Sequence, residues 1–69
     1  MSKTEAIELA IDKATAAEVD VEYFTKVHQT EAYQTDESFQ RQVDAALEAA
    51  QAAVAFHQAI KVALTELPD

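Results

Sequence analysis

The side chains with the most obvious chemistry are two histidines, His28 and His57, and a set of 13 carboxylates. His28 and Glu31 are three residues apart, so a helix would aim both at one ligand. Metal sites in helical bundle cores use Glu-x-x-His together with further inward-facing Glu residues. Here the order is reversed, and neither histidine has a Glu three positions before it. No metal or other cofactor is expected, and His57 reads as a hydrogen-bonded histidine on an otherwise apolar seam. Among the carboxylates, Glu5, Glu8 and Asp12 line one stripe, while Glu18/Glu22 and Asp44/Glu48 are pairs four residues apart. General acid–base work needs a carboxyl held in a pocket that shifts its pKa. The solvated face of a long helix offers none, so no catalytic residue and no enzymatic activity are expected.

Those carboxylate pairs have a second reading. One helical turn spaces them by about 5–6 Å, of the order of neighbouring phosphates on a nucleic-acid strand. Glu18, Glu22, Asp44 and Glu48 are therefore the acidic surface to test if the chain blocks a nucleic-acid-binding protein. Small phage-encoded inhibitors of host nucleases and polymerases are similar in this general style. Direct nucleic-acid binding is not expected, because the net charge is −8 and only Lys3, Lys13, Lys26, Arg41 and Lys61 are basic.

Composition removes further classes. A chain of 69 residues without Cys has neither disulfides nor thiolate metal sites to stabilise it. Without Gly it cannot write a phosphate-cradling loop. The absence of Gly and Asn also argues against tight β-hairpins. The longest uncharged stretch, 49–60, is too short for a membrane span of about 20 apolar residues. The start, Met-Ser-Lys-Thr-Glu, has no apolar signal core. The expectation is a soluble, cytoplasmic, single-domain chain that makes no membrane contact.

The elements that must position these groups are helical. Ser2-Lys3-Thr4-Glu5 fits a capping box. Ile7, Ala10, Ala14, Ala17, Val21, Phe24 and His28 then recur at heptad a and d positions. The apolar–acidic alternation around Val19-Asp20-Val21-Glu22-Tyr23 weakens the pattern and offers Asp20 as an alternative break. Glu22 and Lys26 support helix through a favourable i,i+4 pair. Thr35-Asp36-Glu37-Ser38 is the best turn, with Thr35 as the cap of a second helix. That helix carries Phe39, Val43, Ala46, Ala50, Ala53, His57, Ile60, Leu64 and Leu67 on its seam. Pro68 stops it. The predicted fold is all-α: a long antiparallel helical hairpin with helices over about 3–33 and 38–66 and a turn at 34–37, assembling into a helical bundle.

Asp36-Glu37-Ser38-Phe39 departs from the Asp-Ser-Leu site of acyl carrier proteins at two positions, so Ser38 is not expected to carry phosphopantetheine. Phe39, Ala46, Leu47, Glu48 and the apolar run that follows resemble the second helix of the helical hairpins that serve as co-chaperones for needle subunits in type III secretion. That resemblance implies a chaperone-like role toward a protein partner. Off the seam, the second helix still presents apolar residues where a solvated face would carry charge. The expected partner interface is Ala49, Ala52, Val54, Phe56 and Ala59. It would dock against a protein partner, a second copy of the chain, or both, as an adaptor, co-chaperone or inhibitor.

Overall fold

The computed structural model describes residues 1–68. Three helices follow in order: α1 over Lys3–Val27, α2 over Glu31–Thr35 and α3 over Glu37–Glu66. No strand occurs among the described residues. The long α1 packs along α3, and α2 rests against α3. Lys3 Nζ donates to the Leu67 carbonyl, Gln58 Nε2 reaches Glu18 Oε1 at 3.5 Å, and the Tyr33 hydroxyl donates to Asp44 Oδ1 at 2.8 Å. The start of α1 therefore meets the end of α3, and the corner meets the start of α3.

Helix starts follow from caps. Ser2 Oγ accepts from the Glu5 N–H at 3.1 Å and approaches Glu5 Oε1 at 3.3 Å, so a side chain satisfies an amide left open by the first turn. Asp36 caps α3 by accepting from the Phe39 N–H at 3.1 Å. Thr35 does not cap it: its hydroxyl bends back onto the Glu31 carbonyl at 2.9 Å. An Asp cap also places negative charge at the positive end of a 30-residue helix, which a Thr cap cannot do. At the far end Leu67 is extended, with ψ 142°, as the residue before Pro68 must be.

The first helix corrects the reading over 3–33. It does not break at Asp20, because Val21 and Phe24 keep half-buried positions on the seam and packing overrides the β preference of Val. It stops instead at Val27. Thr30 is extended, with φ −80° and ψ 152°, and its Oγ1 accepts from the Tyr33 N–H at 3.3 Å, which starts a second, five-residue helix. The Gln29 and Thr30 amides turn back onto the Lys26 and Val27 carbonyls, each at 3.0 Å. The expected single turn at 34–37 is thus two corners, at 28–30 and at Asp36. Neither uses a positive φ, which explains how the chain turns without Gly.

The core is thin. Its buried residues are Ala10, Ala14, Ala17, Val43 and Ala50, and no large side chain is fully buried. Each buried methyl contributes about 0.8 kcal/mol, against about 1.5–3 kcal/mol for a full Leu or Phe side chain. The small residues let α1 and α3 approach closely. The outcome is a rod of 53 × 15 × 13 Å whose radius of gyration is 15.7 Å. A compact chain of this length has about 11 Å.

Candidate functional site

Three places carry side chains that could bind or react: the corner, the two histidines, and the flank of α1 and α3. At the corner, the backbone groups opened by the two turns are satisfied by glutamines. Gln34 Nε2 donates to the His28 carbonyl at 2.8 Å and Gln40 Nε2 to the Tyr33 carbonyl at 2.6 Å. These bonds hold α2 so that the Tyr33 ring lies against the His28 ring, with centroids 4.4 Å apart and planes tilted by 32°. Asp44 then receives the Tyr33 hydroxyl and sits 3.3 Å from His28 Nε2. That nitrogen is shielded from solvent and is not aligned to donate a hydrogen bond, so its link to Asp44 is one of proximity. Sequence reasoning passed over this cluster. The available signal was Thr30 followed by Glu31, a cap-and-acid pair that starts a helix.

The hydrogen bond to Asp44 raises the Tyr33 pKa above the ordinary phenol value, with burial and the carboxylate charge adding to it. Tyr33 therefore stays protonated near neutrality and is neither a base nor a nucleophile there. The Asp44 side chain is 56% exposed, so no dry pocket surrounds the cluster. The arrangement clasps the corner rather than presenting a reacting group.

His57 lies on the seam, half-buried, with its ring edge-on to Phe56 at 5.4 Å. It borders two shallow grooves, one on each side of the α1–α3 contact. One, of about 130 Å³, includes Ile11, Thr15, Glu18, Gln58 and Lys61. The other, of about 300 Å³, includes Met1, Leu9, Lys13, Ile60 and Leu64. Among the described residues no three His, Asp or Glu side chains converge as a metal site would require. No described helix is long and apolar enough to cross a membrane.

Of the expected interface residues, Ala49, Ala52, Phe56 and Ala59 are exposed, while Val54 is half-buried beside Glu18, Val21 and Gln51. Phe56 is 62% exposed. Ala49, Ala52, Phe56 and Ala59 advance by three, four and three residues, which makes one stripe along α3. Val54 belongs to the other side of that helix.

The acidic set is dispersed in its engagements. Glu18 meets Gln58, Glu22 pairs with Lys26 at 3.3 Å, Asp44 is held by Tyr33, and Glu48 is exposed. The geometry brings the four apolar residues into one line and commits three of the four carboxylates to neighbours within the chain. Compared with known proteins, the chain matches no family model, no curated protein and no solved structure.

Proposed function

We propose that this chain is a small acidic protein–protein interaction module without enzymatic activity. In this reading it is an antiparallel helical hairpin that docks through the alanine-rich α3 and completes a helical bundle with its partner. The observation that carries the reading is the inversion of burial in α3. The helix turns only Val43 and Ala50 fully inward, while Phe56 stands 62% exposed in a line of alanines. Fully burying a Phe contributes about 1.5–3 kcal/mol, and with Phe56 still 62% exposed more than half of that is left to gain. Aromatic residues are also the commonest anchors of interfaces. The apolar stripe is thus a source of stability that the folded chain leaves unused.

Phe56→Glu tests it. Solution mass by light scattering and recovery of co-purifying protein from the native host should both fall, with circular dichroism still reporting helix. Unchanged mass together with unchanged recovery would overturn the reading. Association that collapses with added salt yet ignores Phe56→Glu would point instead to Glu18, Glu22, Asp44 and Glu48.

A further inference from the structure

The exposed stripe of α3 has a neighbour. On α1, Leu9, Lys13, Ala16, Asp20 and Tyr23 are all exposed and advance by four, three, four and three residues, so they too form one line. Leu9 and Lys13 share a groove with Ile60 and Leu64 of α3, which places this line on the same flank as Phe56, Ala59 and Ala63. The opposite flank carries Thr15, Glu18, Gln58 and Lys61. The two lines are level with each other. Ala14 shares a groove with His57, and Glu18 and Val21 share another with Val54. Ala16 on α1 therefore stands at the height of Phe56 on α3.

About that height the α3 line is a palindrome, and the α1 line sets residues of complementary kind at matching distances. Lys13 and Asp20 sit at near-equal distances on either side of Ala16, as do Leu9 and Tyr23. Around Phe56 the sequence reads Ala49, Ala52, Phe56, Ala59, Ala63 in either direction. A two-fold symmetric interface demands such self-complementarity, because each residue must meet its symmetry-related counterpart on the second copy. The stripes also carry one base and one acid, a net charge of zero, in a chain whose net charge is −8. Any heterologous acidic or basic surface would meet one matching and one clashing charge here. A second copy turned end for end meets two matches.

We infer that the occupant of this face is a second copy of the chain, related by a two-fold axis that crosses the rod at Ala16 and Phe56. The inference rests on the docking reading above and names its partner. In this dimer α1 lies antiparallel to α1 of the partner and α3 to α3. Lys13 faces Asp20 across the axis twice, Leu9 packs on Tyr23, and the two Phe56 rings meet at the centre between alanines small enough to let the helices close. One long face of the rod measures 53 × 15 Å. A standard interface covers about 800 Å² per partner, roughly a sixth of the 5056 Å² that the monomer exposes. Phe56 supplies the affinity; the exposed ion pairs set the direction of pairing.

Charge exchange tests the register. Lys13→Glu alone and Asp20→Lys alone each place like charges opposite one another, and each should weaken dimerisation at least tenfold at low salt. An equimolar mixture of the two variants should dimerise again, since every introduced charge then meets its opposite. Lys13→Glu combined with Asp20→Lys in one chain should also restore the dimer, at unchanged net charge. Sedimentation equilibrium on the full chain reads all four cases, and circular dichroism confirms that each variant is helical. A wild-type chain that is monomeric at high concentration overturns the inference. So do single variants that dimerise normally, or a mixture that fails to recover. A monomer that still captures a host protein through Phe56 overturns self-pairing alone and leaves the docking reading intact. A monomer with no Phe56-dependent partner removes both.

Discussion

The corner and the middle of the rod solve the same problem by opposite means. Around 28–44 the chain is held by directed polar contacts: Thr30 and Asp36 cap, Gln34 and Gln40 cover carbonyls, and Tyr33 binds Asp44. Between Ala10 and Ala17 there is almost none of this, only buried alanines against α3. The corner has many specific bonds of modest net strength, each worth about 0.5–1.5 kcal/mol. The middle has close approach and little else. Stability in the middle is therefore sensitive to volume, while geometry at the corner is sensitive to the identity of single polar groups.

Enlarging the seam should show the largest effect. Ala14→Leu inserts three heavy atoms where Ala14 is 8% exposed, and overpacking of this kind costs about 1–3 kcal/mol. For a domain of this size that lowers the thermal midpoint by about 4–8 °C for each kcal/mol. A melting curve unchanged by this substitution would mean that the helices are not in close contact there. The corner should respond less, and residue by residue. Asp36→Ala removes the α3 cap and should cost about 1 kcal/mol, whereas Thr35→Ala should change the denaturation midpoint by a much smaller amount. Equal losses from the two would break the contrast between a directed corner and an undirected seam.

The smallest effect is the most local. Tyr33 donates its proton to Asp44 only while neutral, and its pKa is raised above 10.0. A raised folded-state value means that this bond is fully present below the unfolded phenol pKa. It is lost as pH rises through the folded one. In a Tyr23→Phe background, ultraviolet absorbance should report phenolate forming at higher pH than in the same protein carrying Asp44→Asn. Coincident titration curves would show that Asp44 does not hold the Tyr33 proton.

These two regions also differ in how far the sequence discloses them. The seam is written in heptad spacing, so Ala10, Ala14, Ala17, Val43 and Ala50 are legible as core positions before any coordinates. The Ser2 cap and the stop at Pro68 are legible for the same reason: each depends on residues a few positions apart. The break at 28–30 is not, because Val19 and Asp20 carry the stronger local signal and lose to the burial of Val21 and Phe24. The choice of Asp36 over Thr35 turns on which side chain the backbone presents to the Phe39 amide. The Tyr33–Asp44–His28 cluster is hidden because it depends on the angle at which a five-residue helix leaves its neighbour. Ala49, Ala52, Phe56 and Ala59 are exposed along one line, whereas Val54, equally apolar in the sequence, is half-buried on the other side of α3, a difference that only the helical turn decides.

The Tyr33–Asp44 bond has a consequence for alignment. Alanine recurs so often in α3 that sliding the helix by four or three residues would exchange Ala50 for Ala46 or Ala53, keeping a methyl at that point of the seam. Such a slip would bring Gln40 or Leu47 to the place of Asp44. Neither carries the carboxylate that meets the Tyr33 hydroxyl at 2.8 Å and the His28 edge at 3.3 Å. The corner thus works as the detent of a sliding bolt. It chooses one notch among several that the alanines would accept, and fixes which residues of the two helices stand level along the whole 53 Å rod.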